Sequence, residues 1–412
     1  MLKIGMIGAG FVATFHERAL CSVRGVELTG ICAPEGAEAL AKRARQDGLG
    51  NTKVYEDVAD ICDAVDVICI FAPNFARLDI MRNIAKAIEN GSEIKGIICE
   101  KPLARNLQEA DVMARMAKAL HVPTAYFENQ LHMPCVVEAR NQLMAVEKSM
   151  GSVHLSRSAE EHGGPHEPWF WDPTRQGGGV CCDMGCHSIA VGMYTLTPSG
   201  KRPDYLTPVS VTANMALLKW GKEPWISRLK TRGVDYKAAP GEDYSNVTIE
   251  FKDPETGINS IAQATNSWMY DAPGLRLLME AFGPGYSYTV NSLESPAGIF
   301  ISDAAAAAVA DSELALEKAQ ATRGALVLQP NEPDLYGYVA EWRDAVSAFE
   351  KGKNAMLDFQ YGRHITMLVM AAYMAHEKKM TIDLTDSEVL QALESYVPLI
   401  QQGKGAEVLL GA

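Results

Sequence analysis

The chain has 412 residues, 47% of them hydrophobic and 22% charged, enough apolar material for the cores of two or three domains. A formal charge of −13 argues against nucleic acid as a partner, because phosphate binding needs clustered Lys and Arg. No apolar run approaches the roughly 18–20 residues needed to cross a bilayer, so no membrane association is expected.

A strand pattern begins at residue 2, so no signal peptide is expected and the chain reads as cytoplasmic. Nine cysteines, an odd count, sit mostly in apolar runs (Cys69, Cys99) or in one cluster (Cys181, Cys182, Cys186), which fits free thiols in a reducing compartment. Over residues 1–127, β-branched runs at 3–7, 26–32, 65–72, 94–99 and 122–126 alternate with helical periodicity, as at 37–45, 78–88 and 107–120. Asn106, followed three places later by Glu109, marks a capped helix start. This alternation predicts an α/β domain whose parallel sheet is covered on both faces. From 128 to 412 the pattern changes. Strands at 209–218, 246–251, 260–268 and 275–282 follow one another through turns such as Lys252-Asp253-Pro254-Glu255-Thr256-Gly257, and helices are expected at 335–351 and 359–378. The Ala-rich stretch 303–310 suits a helix or a surface insert. The second domain is therefore expected to be α+β with a large, mostly antiparallel sheet.

Directly after the first strand comes Gly8-Ala9-Gly10-Phe11-Val12-Ala13, a G-x-G-x-x-A pattern opening a βαβ unit. Gly8 permits a tight turn, Gly10 lets the backbone approach a diphosphate, and Ala13 keeps helix and strand close. The N–H groups at the helix start then favour the anion, which makes this a dinucleotide site. Glu35, after the second strand, is the nearest carboxylate for an adenine ribose, with a solvated surface glutamate as the alternative. No Arg or Lys occupies residues 31–36 to pair with a 2′-phosphate, which favours NAD over NADP.

Glu100-Lys101-Pro102 ends the fourth strand candidate, at the sheet edge where ligands bind in open α/β folds. Further on, Gly177-Gly178-Gly179 precedes Asp183 and His187, whose i, i+4 spacing on an α-helix shares one face. An imidazole titrates near working pH and can take an alcohol proton while hydride leaves the same carbon; a neighbouring carboxylate orients the ring.

These segments, with Pro73-Asn74, resemble the Gfo/Idh/MocA oxidoreductases, in order and over nearly the whole chain. The resemblance implies an N-terminal Rossmann domain over 1–127, a substrate-binding and oligomerisation domain over 128–412, and homodimers or homotetramers formed through the second sheet. It implies that Lys101, Asp183 and His187 form the catalytic group: His187 the general acid/base, Asp183 its partner, Lys101 orienting substrate or relaying a proton. Pro73, Asn74, Glu100 and Lys101 join Gly8, Gly10, Phe11, Val12, Ala13 and Glu35 around the cofactor. Two departures stand out: Arg77 where many members have a histidine, and Ala190 where many have an aspartate.

Other readings compete at particular residues. Cys181, Cys182, Asp183, Cys186 and His187 are zinc-ligand types, but adjacent cysteines diverge and no second C-x-x-C follows, so no metal is expected. His166, Trp169 and Trp171 suit the face of a sugar ring, or else packing within the second domain. Glu128 and Asn129 follow the fifth strand candidate and are candidates for the same cleft; Arg157 and Tyr288 are possible walls. The activity expected is NAD-linked hydride transfer at a secondary alcohol of a sugar, glycoside or cyclitol. The alternatives are a redox-neutral sugar conversion with tightly held NAD, of glycosidase or epimerase type, and a sugar- or nucleotide-sensing protein without catalysis.

Overall fold

The computed structural model describes residues 1–270, 276–292, 295–308, 324–328 and 335–411. The described chain forms two compact units, one comprising Met1–His132 with Tyr336–Thr366 and the other Met133–Leu335 with Met367–Ala412.

The first unit is built on six parallel strands: β1 (Leu2–Ile7), β2 (Val26–Cys32), β3 (Lys53–Tyr55), β4 (Val67–Ile70), β5 (Gly96–Glu100) and β6 (Thr124–Phe127). Their order is β3-β2-β1-β4-β5-β6, so the chain reverses direction across the sheet between β1 and β4. Every residue of β4, β5 and β6 is buried, as near-continuous apolar strands covered on both faces must be. β3, too short to show a period, is the one strand of this sheet the sequence did not announce. At the start of the helix Leu107–Ala119, the Asn106 side chain accepts from the Glu109 amide at 3.0 Å. The return leg of a capping box goes instead to the Arg105 amide, which donates to the Glu109 carboxylate at 3.2 Å.

A division at residue 127 did not provide for the return of the chain. The helix Tyr338–Phe349 belongs to the first unit, where Trp342, Ala345 and Phe349 join Leu20, Ile98 and Phe127 in one core. Gly96 is shaped by this packing, since a Cβ there would meet the Phe349 ring at 2.4 Å. An amphipathic helix shows which stripe it buries but not which sheet receives it.

The second unit carries nine strands: β7 (Leu155–Glu161), β8 (Thr207–Ala216), β9 (Tyr244–Lys252), β10 (Asn259–Ser267), β11 (Arg276–Gly283), β12 (Tyr286–Asn291), β13 (Ser295–Ile301), β14 (Gly324–Leu328) and β15 (Ile382–Asp383). Their order is β14-β13-β12-β11-β7-β10-β9-β8-β15, and every pairing is antiparallel except β7 with β10. The turn after β9 forms as its sequence requires, with Asp253 Oδ1 accepting from the Glu255 and Thr256 amides and Gly257 at φ +74°. The helices Pro134–Met150 and Cys186–Leu196 pack on this sheet. The expected strand 275–282 starts at Arg276, and of the Ala-rich stretch the helix Asp303–Ala308 is described; positions 275, 309 and 310 lie outside the described residues. All nine cysteines are free thiols, and no described helix is long and apolar enough to cross a membrane.

Candidate active site

In the first unit the candidate residues gather at the carboxyl edge of the parallel sheet. Gly8 follows β1 at φ +118°, and a Cβ on it would lie 2.6 Å from the Phe71 carbonyl oxygen, so only glycine lets β1 and β4 end this close together. Gly10 is the opposite case, with nothing within 4 Å of where its Cβ would stand. It is the N-cap of the helix Phe11–Leu20 and has no side chain to cap it. No side chain caps that helix start, and it lies with open room beside Gly10 at the switch point of the strand order, the geometry that accepts a diphosphate. Ala13 is fully buried, and Phe11 is 62% exposed. Gly36, at φ +76°, comes within 3.2 Å of the Ala9 carbonyl oxygen by its would-be Cβ, so the turn bearing exposed Glu35 borders the glycine turn. These residues fit a dinucleotide.

Asn74 begins the helix Asn74–Glu89, with Pro73 at its N-cap and Arg77 one turn on. The buried Arg77 guanidinium donates to the Ala72 carbonyl at 2.9 Å and to the carbonyls of Glu100 and Pro102. This departure from the family pattern thus ties the end of β4 to the segment that carries Lys101. The Lys101 amide donates to the Phe127 carbonyl at 3.2 Å and to Glu100 Oε2 at 2.9 Å.

Behind Lys101 lies a network that no motif or spacing announces. The Trp342 indole N–H donates to His16 Nδ1 at 3.0 Å, and His16 Nε2 meets Glu100 Oε1 at 2.9 Å. An indole nitrogen can only donate, so Nδ1 is the acceptor and the ring proton sits on Nε2, directed at Glu100. Burial works against the charge on Glu100, but His16, Lys101 and Arg77 outweigh it and hold its carboxyl below the usual carboxylate range. Glu341, one residue before Trp342, lies with His16 and Glu100 in a buried group whose ligand-type atoms are all within 4.8 Å of one another. With its proton on Nε2, His16 offers no lone pair to a cation there. Among the described residues neither oxygen of Glu341 has a hydrogen-bond partner, and burial, Glu100 and Glu128 push its carboxyl well above the usual range. Glu128 is fully buried in this unit, Asn129 donates to the Tyr336 carbonyl at 2.8 Å, and burial pushes His132 down to about 4.

In the second unit Asp183 and His187 are both buried. The turn Cys181–Gly185 is π-helical and runs directly into the α-helix Cys186–Leu196. Asp183 and His187 therefore do not share the face that i, i+4 spacing on an α-helix predicts, since a π turn is wider than an α turn and rotates the two side chains relative to each other; such turns recur at functional sites. The helix start is fully capped. The Gly179 amide donates to the Glu242 carboxylate at 3.0 Å and to Tyr373 Oη at 3.2 Å. Val180 donates to the Glu242 carbonyl at 2.9 Å, Cys181 to Glu242 Oε1 at 2.9 Å and Cys182 to Tyr373 Oη at 3.2 Å. Two members of the glycine run owe their identity to this cap. A Cβ on Gly178 would stand 1.9 Å from Tyr373 Oη, and one on Gly179 would stand 2.2 Å from the Glu242 carbonyl oxygen. Burial pushes the Glu242 carboxyl up to about 7 despite its donors. Farther along, Asn266 Nδ2 donates to Ser188 Oγ at 2.8 Å, anchoring the residue next to His187.

Trp171 is 2% exposed and packs with Trp220, Tyr236 and Trp268, its indole donating to the Pro165 carbonyl, so for this residue packing replaces the sugar-facing expectation. Trp169 stacks on Phe170 with centroids 3.9 Å apart and is half-buried, while His166 is exposed. Tyr288 is also buried, bonded to Thr195 Oγ1 at 3.0 Å, whereas Arg157 is exposed and donates to Gln263. Two of the three cluster thiols are turned to backbone oxygens, Cys182 Sγ to Gln176 and Cys186 Sγ to Asp183.

Comparison with known proteins agrees with this fold and its motifs. Residues 2–127 match the oxidoreductase family with NAD-binding Rossmann fold, GFO_IDH_MocA, and residues 142–283 match the GFO/IDH/MocA C-terminal domain. Glucose-6-phosphate 3-dehydrogenase of Bacillus subtilis (strain 168) is 32% identical over 225 residues, 52% of this chain and 58% of that protein. D-Glucoside 3-dehydrogenase of Escherichia coli (strain K12) is 28% identical over 200 residues, 47% of this chain and 54% of that protein. The match thus spans little more than half the length of these curated relatives. Among solved structures, GenD2 from gentamicin A biosynthesis in complex with NAD gives a TM-score of 0.70 at 22% identity, covering 93% of this chain and 96% of that one. Levoglucosan dehydrogenase in complex with NADH and levoglucosan gives 0.70 at 19% identity, covering 93% and 98%. Likeness at these identities speaks to the fold. With both family models matched in order along its length, the chain belongs to the GFO/IDH/MocA oxidoreductase family.

Proposed function

We propose that this chain is an NAD-dependent dehydrogenase that oxidises a secondary alcohol of a sugar or glycoside, or reduces the corresponding ketone. The observation that carries the reading is the uncapped helix start behind Gly8 and Gly10, which fits a diphosphate, in a chain whose relatives above are named as dehydrogenases of glucose derivatives. NAD, when bound, supplies the hydride acceptor. The chain supplies the rest: His187 takes the hydroxyl proton as the C–H bond gives up its hydride and the C–O bond becomes a carbonyl. Asp183 supports the charge on the ring, and Lys101 orients the reacting hydroxyl. Gly8, Gly10, Phe11, Val12, Ala13, Pro73, Asn74 and Glu100 serve the cofactor, with Glu35 toward the adenine ribose; Asn129, His166 and Trp169 serve the substrate.

The test is reduced-cofactor absorbance with NAD and a panel of glucose 6-phosphate, glucosides, levoglucosan and inositols. Lys101→Ala and His187→Ala are each expected to lose at least 100-fold in kcat while still quenching as NADH binds, and full turnover in both would reject the assignment. Free NADH that accumulates separates a dehydrogenase from a redox-neutral conversion. We further propose a homodimer or homotetramer formed through the nine-stranded sheet. Register aligns Ile261, Leu155, Phe282, Ser287 and Phe300 in one cross-strand row, apolar but for Ser287, and Ile261 and Phe300 are 42% and 46% exposed. Light scattering should give a multiple of the chain mass, and Ile261→Asp should lower it.

A further inference from the structure

We infer that Glu242 is a positioning residue for the proposed reaction, capping from another element the helix that carries Asp183 and His187 and so fixing where both side chains are held. This rests on the catalytic assignment above.

Helix starts leave amides without partners inside the helix, and these must find acceptors elsewhere. Here the accounting closes. Asp183 is the first amide of the turn bonded within it, to the Gly179 carbonyl at 3.1 Å. The amides just before it, from Gly179 to Cys182, are met by Glu242 through its carboxylate and carbonyl and by Tyr373 through its hydroxyl. Tyr373 is itself tied to Glu242, donating to Oε1 at 2.6 Å. Glu242 is fully buried, and the groups that offset this burial are the Tyr373 hydroxyl and backbone amides that include those of Gly179 and Cys181 at the helix start. The approach is so close that Gly179 can carry no side chain.

The next residue extends the same device. Asp243 accepts the amides of Leu218, Lys219 and Trp220 at 2.7–2.8 Å, and Trp220 packs on Trp171 with centroids 4.7 Å apart. Two successive carboxylates immediately before β9 therefore reference the His187 helix and the aromatic segment to one strand. The π turn lies between two fixed points, the Glu242 cap and the Asn266 bond to Ser188, so a shift at the cap has nowhere to be absorbed except at Asp183 and His187. A displacement of about 1 Å at a catalytic group costs on the order of 100-fold in rate.

The experiment uses Glu242→Gln, which keeps the shape but removes the charge and replaces one accepting carboxylate oxygen with an NH2 donor, and Tyr373→Phe, which removes the hydroxyl that braces the cap. In the full-length protein both are expected to lower kcat about 10- to 100-fold while leaving the NADH dissociation constant within about twofold. The imidazole NMR signals of His187, assigned by their loss in His187→Ala, should shift in both variants while those of His16 and His132 stay in place. Unchanged kcat and unchanged His187 signals in both would overturn the proposal. So would a fall in kcat matched by an equal loss of cofactor affinity or by movement of every histidine signal, which would report general damage. If the wild type turns over no sugar, the dehydrogenase reading fails, and the His187 signals alone decide whether Glu242 sets that helix.

Discussion

Replacing Glu341 should make the protein more stable, and more so at higher pH. Glu341 is 1% exposed, with both oxygens unpartnered among the described residues, next to Glu100 and Glu128. Its carboxyl, ordinarily near 4.5, is pushed well up by burial and then by those two carboxylates. A group whose folded pKa exceeds its unfolded one contributes its stability in full below the unfolded value and loses it as pH rises toward the folded one. The penalty therefore grows from about pH 4.5 upward. Leaving a buried polar group unsatisfied costs about 1–3 kcal/mol, and a unit of this size shifts by about 2–4 °C per kcal/mol. Glu341→Leu, which removes both the charge and the need for hydrogen bonds, is expected to raise the midpoint of the first unit by about 2–12 °C at pH 8. At pH 5 the gain should be smaller. Glu341→Gln removes only the titration, so its advantage over wild type should appear at pH 8 and shrink toward pH 5. Scanning calorimetry at the two pH values reads both. A leucine variant that melts below wild type at pH 8 would refute the reasoning, because it would mean that the carboxylate has a stabilising partner.

Two further perturbations separate cofactor binding from folding. Gly10→Ala places a methyl where nothing stands within 4 Å, so the melting temperature should hold while NADH affinity falls at least tenfold by fluorescence titration; Gly8→Ala, with φ +118° and a carbonyl 2.6 Å away, should lower both. Arg77→Ala strips three backbone carbonyls of a buried donor, at a cost of about 2–4 kcal/mol, and should increase hydrogen exchange around residues 100–104.

The composition and periodicity of the chain determined its fold class and the sites of its motifs. Continuously apolar strands announced β4 and β5, and Asn106 with Glu109 announced a helix start, because period and capping are local properties of consecutive residues. The glycine turn was legible for the same reason: Gly8 and Gly10 act through their own backbone. What the sequence could not determine were relations between residues far apart in number. His16, Glu100 and Trp342 form one hydrogen-bonded line across more than 300 residues, and Trp342 reaches it only because the chain returns to the first unit. Trp171 has the composition of a sugar-binding residue and the surroundings of a core one. Glu242 is one glutamate among many until the fold brings it to the amides before Asp183, 63 residues away from Gly179. Local chemistry is written in sequence; which buried donor meets which acceptor is decided by packing, and so only the tertiary structure shows it.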